Sequence, residues 1–330
     1  IGVYQIFRAT INLVTYVLYR KNKIRPRFRL LLDGLVLVFL GGTSLLSSTG
    51  NSVFQLFVLG AYFFLYGVSN IRDGFLFEGE IGKNHLKRRI RISLPIVLAA
   101  LIPARTLAKI NKFMLENADE REDIHLGMVK SGKTAELEIF VHTAETSLFS
   151  AIGHVDICYQ GRVISYGNYD PSSETLFGMV GDGVLYFCDR DKYIDLCKRE
   201  SQKTLFGYGI YLTPEMEKAV QKKLAELKQL TIPWEPSADK IMTGDGKEDY
   251  TYAYKIRHET DGELYKFIKS KFKSYFVLST NCVLLADTIV GQAGTDILSP
   301  KGFIAPGTYQ AYLNREFEKP NSIVVSKHVY

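Results

Sequence analysis

Cysteine is scarce in this 330-residue chain and follows no pattern: Cys158, Cys188, Cys197 and Cys282 are the four, with no C-x-x-C pair among them. That spacing excludes a thiol-rich zinc site and gives no basis for a disulfide framework. Acidic residues are scarce in one region only. Residues 1–110 hold 15 Lys/Arg against 4 Asp/Glu, a net of +11, whereas 111–330 hold 26 against 31, a net of −5. The overall charge of +6 therefore belongs wholly to the N-terminal third. Basic residues interleaved with apolar runs point to a lipid bilayer as partner and away from nucleic acid. Internal repeats and low-complexity tracts are absent too, so the chain is read as discrete units.

What is present in the first third is apolar length. Residues 1–19 are largely apolar but carry Arg8, Thr10 and Asn12, which fits either an interfacial helix or a span. Leu30–Leu46 and Val53–Val68 are each close to the length that crosses a hydrocarbon core of ~30 Å at ~1.5 Å per residue. Six Lys/Arg in Arg20–Arg29 precede the first run, six in Arg72–Arg91 follow the second, and the link Ser47–Ser52 is uncharged. Positive charge stays cytoplasmic, so this pattern predicts a hairpin with its link outside. Ile92–Ala104 is a third, shorter run containing Pro95 and Pro103; its basic lead-in favours crossing. Residues 1–110 are thus expected to form a multi-pass region of two or three transmembrane helices in the cell membrane. Residues 111–330 are expected to form an extracytoplasmic domain. Because the sequence opens on Ile1, it is expected to continue a longer precursor.

Gly127–Thr134 fits the P-loop pattern, but acidic residues precede it and the alternating run Ala135–Val141 follows it, so a turn into a strand is the expectation there. Strand-like runs recur at Ala135–Val141, His154–Tyr159, Arg162–Tyr169 and Val184–Cys188, and Gln160-Gly161 marks a tight hairpin. Thr213-Pro214-Glu215 opens a helix that ends near Leu230. Tyr250–Ile256 alternates like a strand, and residues 262–275 are expected to be helical. The mixture predicts an α+β domain, an antiparallel sheet with packed helices.

Within it, Ser279-Thr280-Asn281-Cys282 is a helix start, and the apolar run to Val290 is closed by Gly291. Cys282 then sits in a first turn, where free N–H groups and the helix dipole favour a thiolate. A nucleophile needs a base, and His154, following Gly153 at a strand start, is the candidate. Cys158 and Cys188 fall in apolar strand-like runs and read as core residues, and Cys197 lies on a charged helix.

Four segments, Phe149–His154, Tyr166–Asp170, Leu212–Glu215 and Asn281-Cys282, resemble the successive motifs of circularly permuted NlpC-type papain-like hydrolases, nearest the Lnb-type periplasmic domain. The likeness covers roughly Glu136 to Leu313 and leaves out the membrane region. It implies a permuted papain-like fold with Cys282 as nucleophile, His154 as base, and a third polar group orienting the imidazole. Asn168 or Asp170 is expected in that third role, with Asp170 matching the family pattern. Tyr166, Asp156 and Asn281 are candidate substrate contacts, Asn281 beside the oxyanion and Asp156 either holding an amine or lying solvated at the strand edge. The activity implied is that of a membrane-anchored cysteine peptidase or amidase acting on peptide or acyl substrates of the cell envelope, without cofactor or metal. A lipid-directed thioesterase or acyltransferase, or an inactive papain-like binding module, are the alternatives.

Overall fold

The computed structural model describes residues 2–25, 27–46, 57, 60, 128–129, 134–142, 153–201, 205–242, 248–291, 306–318 and 322–330. The chain divides into two units, Ile1–His85 and Leu86–Tyr330. In the first, helices α1 (Gly2–Lys21) and α2 (Phe28–Leu46) pack antiparallel through a contact made close by small residues. A Cβ on Gly41 would lie 2.8 Å from Ile6, and one on Gly34 would lie 2.9 Å from Leu13. Small residues at such crossings let helix backbones approach where no water drives them together. Gln5, Ala9, Ile11 and Thr15 of α1 are buried, while Leu35, Val36, Val38 and Phe39 of α2 are exposed. Among the described residues, α2 is the one helix long and apolar enough to cross a membrane, by length and composition alone. The basic stretch from Arg20 to Arg29 turns out to include the α1–α2 connection. The expected spans Val53–Val68 and Ile92–Ala104 lie outside the described residues, apart from Phe57 and Gly60.

The second unit is an α+β structure built on a nine-stranded antiparallel sheet. In chain order its strands are β1 (Met128–Val129), β2 (Leu137–His142), β3 (His154–Tyr159), β4 (Arg162–Gly167), β6 (Val184–Asp189), β7 (Leu205–Ile210), β8 (Thr231–Pro233), β11 (Glu263–Phe267) and β13 (Val324–Val329). Across the sheet they run β1-β13-β7-β2-β3-β4-β6-β11-β8. Two small ribbons accompany it, β5 (Val180–Asp182) with β12 (Ser274–Phe276), and β9 (Lys240–Met242) with β10 (Glu248–Tyr250). Gln160 and Gly161 take φ of 51° and 73°, the left-handed pair that a two-residue hairpin needs, and so pin Tyr159 opposite Arg162.

Helices cover both faces. Leu137, Ile139, Val141, Val155 and Ile157 point to the face packed by α4 (Pro214–Lys228), α6 (Cys282–Val290) and α7 (Pro306–Glu318). Phe140, Cys158, Val163, Tyr186 and Cys188 point to the other, beneath α3 (Arg190–Ser201) and α5 (Tyr252–Glu259). Each fully buried aliphatic contributes about 1.5–3 kcal/mol. With both faces buried, the inner strands carry apolar residues at successive positions.

Two expectations are overturned between residues 250 and 275. Residues 252–259 form a helix instead of a strand, and 263–267 a strand instead of a helix. The Tyr spacing that suggested alternation also fits i, i+4: Tyr250 stacks on Tyr254 at 4.3 Å, and Tyr254 lies 4.2 Å from His258. Thr251 caps the helix, its hydroxyl accepting from the Tyr254 N–H at 3.2 Å. Glu263–Phe267 is drawn into the sheet because it has neighbours on both sides, β6 and β8. Of the P-loop-like stretch, Met128–Val129 is a strand and Leu137–His142 the next one; Gly127 and 130–133 lie outside the described residues.

Candidate functional site

One irregularity in the sheet organises the site. The β3–β4 ladder runs from Tyr159↔Arg162 only to Ile157↔Ile164, yet β3 stays paired to β2 as far as His142↔His154 and β4 to β6 as far as Gly167↔Val184. Helix α6 packs on both β3 and β4. The body of α6 joins the core on one face, while His154, by the alternation that puts Cys158 opposite Ile157, belongs to the other. Its first residue reaches across: the Cys282 thiol interacts with the His154 ring. Cys282 is 3% exposed and the His154 side chain 25%, so the pair is approached from the histidine side.

Local sequence explains the placement of each. Asn281 caps α6, its Oδ1 accepting from the Leu284 N–H at 3.1 Å and its Nδ2 donating to the Val277 carbonyl at 2.9 Å. Gly153 enters β3 with φ of 76°, a left-handed step that a side chain would oppose, and sets His154 at the strand's first position.

His154 is held by oxygen atoms around Nε2. Ser165 Oγ lies at 2.9 Å and the Tyr169 hydroxyl at 3.0 Å as directional hydrogen bonds, and Asp156 Oδ1 sits at 2.9 Å as an ion-pair contact off the hydrogen-bonding directions. On its far side Asp156 Oδ2 meets His142 Nε2 at 2.7 Å and accepts from the Tyr193 hydroxyl at 2.5 Å. The carboxylate has no solvent-exposed surface. Burial opposes charge on both groups, yet attraction outweighs it. His154 is raised well above 6.5 by the charge of Asp156 and then by Cys282. Asp156 is held far below the carboxylate range by the charge of His154 and by its hydrogen bond with His142. Tyr169, Tyr186, Tyr193 and Tyr252 surround the cluster, and burial pushes each well above its ordinary value, so they stay neutral.

The structure brings together Cys282, His154 and Asp156 and separates the others. Asp170 caps the short turn Pro171–Ser173 and pairs with Lys266 at 2.5 Å, so it does not orient the imidazole. Asn168 lies past the end of β4, its amide donating to the Gly178 carbonyl at 3.4 Å and covering Gly181, where a Cβ would fall 2.0 Å from Oδ1. Both fail as the third residue because the alternation that groups them with Tyr166 belongs to the sheet face away from His154, which meets Ser165 and Tyr169 instead. Tyr166 is fully buried, donates to the Phe272 carbonyl at 3.0 Å and packs on the rings of Phe267, Phe272 and Tyr275, which makes it core instead of a substrate contact. Asn281 has both ends of its amide engaged by backbone and serves as the cap. Asp156, expected at the solvated edge or on a substrate amine, is buried beside the base.

Sequence reasoning passed over Ser165, Tyr169, His142 and Tyr193. Ser165 was within reach, because the Gln160-Gly161 turn fixes the register that sets Ser165 beside Asp156. Tyr169 continues the alternation of Ser165 four residues on, whereas His142 and Tyr193 had no sequence signal, since they come from β2 and α3. Among the described residues no group of three or more His, Cys, Asp or Glu is arranged to hold a metal ion. No known protein family, curated protein or solved structure matches the chain.

Proposed function

We propose that the second unit is a cysteine hydrolase of papain-like type acting on amide or ester carbonyls, anchored to the membrane by α2 and facing the extracytoplasmic side. The reading is carried by the electrostatic interaction between Cys282, first residue of a capped helix, and a histidine whose other side rests on a buried carboxylate. Nε2 is already surrounded by Ser165, Tyr169 and Asp156, which leaves Nδ1 for the thiol. A positive His154 favours the thiolate, as does the dipole of α6.

In the reaction, the Cys282 sulfur attacks the carbonyl carbon and the C=O electron pair moves onto oxygen. Backbone N–H groups in the first turn of α6 that the Asn281 cap leaves open would receive that oxyanion. Collapse breaks the bond to the leaving amine or alcohol, which takes the proton from His154 and leaves a thioester on Cys282. Water then gives its proton to His154 and attacks the thioester, releasing the acid and restoring the ion pair. Asp156 holds the ring and offsets its charge throughout. Anchoring rests on the apolar outer face of α2 and the basic connection beside it.

The test uses full-length protein in carbonate-washed membranes treated with p-nitrophenyl acetate. An acetyl group released by hydroxylamine should be found on Cys282 and be lost in Cys282→Ala and His154→Ala. Acetylation spread evenly over the cysteines, or unaltered in His154→Ala, would contradict the hydrolase. Release of the chain by the wash would contradict the anchor.

A further inference from the structure

Asp156 lies between two imidazoles. His142 and His154 stand directly opposite one another on β2 and β3, their rings 5.7 Å apart, and each meets a different oxygen of the same carboxylate. The His142 ring meets Asp156 at 2.7 Å and the Tyr193 hydroxyl at 3.2 Å. Its side chain is 10% exposed. A carboxylate with one oxygen on the base can rotate about its last torsion unless the other oxygen is fixed. Here His142 from β2 and Tyr193 from α3 fix it from two separate elements.

We propose that His142 is a positioning residue: with Tyr193 it locks the Asp156 carboxylate so that its free oxygen stays on His154, and so sets the charge state in which His154 meets Cys282. This rests on the hydrolase reading for its consequence, though the lock is a property of the cluster itself. The charged and titratable groups facing Asp156 are His154 from its own strand, His142 from β2, Tyr169 from the segment after β4, Tyr186 and Cys188 from β6, Tyr193 from α3 and Tyr252 from α5. The tyrosines and Cys188 stay neutral, which leaves the two histidines as the groups whose arrangement responds to the carboxylate.

Two readouts separate the lock from mere structure. In the full-length protein, His142→Ala should slow iodoacetamide modification of Cys282 about tenfold, the lower end of what partners of an orienting group contribute. It should also move the acid limb of the pH profile upward, because a loosened Asp156 stabilises the imidazolium less. His142→Gln, whose amide can donate to the same oxygen, should restore the profile. Tyr193→Phe removes the other donor and should move it the same way, which keeps the test available where His142→Ala fails to fold. The second readout is the His154 ring titration by NMR with selectively labelled histidine in a Cys282→Ala background. His142→Ala should lower the His154 pKa there even if Cys282 proves unreactive, in which case the hydrolase falls and the lock stands. A His142→Ala protein with a wild-type limb and an unmoved His154 titration overturns the proposal.

Discussion

Asp156 decides whether His154 is charged, and that makes the pair a stability device as well as a chemical one. His154 is raised, so its contribution is fully present below about 6.5 and is lost as pH rises through the elevated folded value. Asp156 is depressed, so its contribution is present above about 3.8 and is lost only as pH falls toward the low folded value. The two overlap between roughly pH 4 and 6.5. Asp156→Asn keeps the shape and removes the charge, and breaking one partner of a buried pair costs about 3–5 kcal/mol. Thermal melts of wild type and Asp156→Asn should therefore differ most near pH 5.5, with the gap narrowing toward pH 9. A gap that widens with alkalinity would contradict this assignment of charges. At this scale the sequence disclosed Cys282 and His154 through a helix cap and a Gly-His strand start, both local signals. It misdirected the third role to Asn168 and Asp170, because the alternation that groups them with Tyr166 runs on the sheet face away from His154.

Among the elements, the turn before β5 stands out. Leu176 and Phe177 take φ of 50° and 57° and are 51% and 93% exposed, ahead of Gly178 at 79°. Bulky side chains in the left-handed region cost on the order of 1–3 kcal/mol each, and exposure leaves nothing to offset that. The turn is tied to the approach to Cys282, since the Val277 N–H donates to the Met179 carbonyl at 3.0 Å. Leu176→Asn with Phe177→Gly supplies the residues such a turn prefers and should raise Tm by several degrees. A lower Tm would show that the two side chains are held by contacts this geometry lacks. Elements with a terminal signal were legible: the Gln160-Gly161 hairpin and the helix after Thr213, whose hydroxyl accepts from the Met216 N–H at 3.4 Å. Tyr250–Phe267 was not, because its Tyr spacing serves strand and helix alike and its sheet neighbours β6 and β8 lie elsewhere in the chain.

At the scale of the whole molecule, the mixture of strand and helix signals foretold the α+β character of the second unit, and the basic, apolar character of the N-terminal third was legible from composition alone. The sheet order was not foretold, since β13 and β11 join it across long separations. The second unit keeps its four thiols in different company. Burial pushes Cys158 up to about 12 and Cys188 higher still, Cys197 is buried on the inner side of α3, and Cys282 lies beside the His154 ring. Their rates of reaction are therefore the most direct test of the account. Full-length protein treated with limiting iodoacetamide between pH 5 and 9 and mapped by mass spectrometry should carry the label on Cys282 first. His154→Ala should slow that labelling at pH 6 by at least about tenfold, the scale on which a paired base acts. Equal labelling of all four cysteines, or a Cys282 rate indifferent to His154, would contradict the ion pair and with it the proposed chemistry.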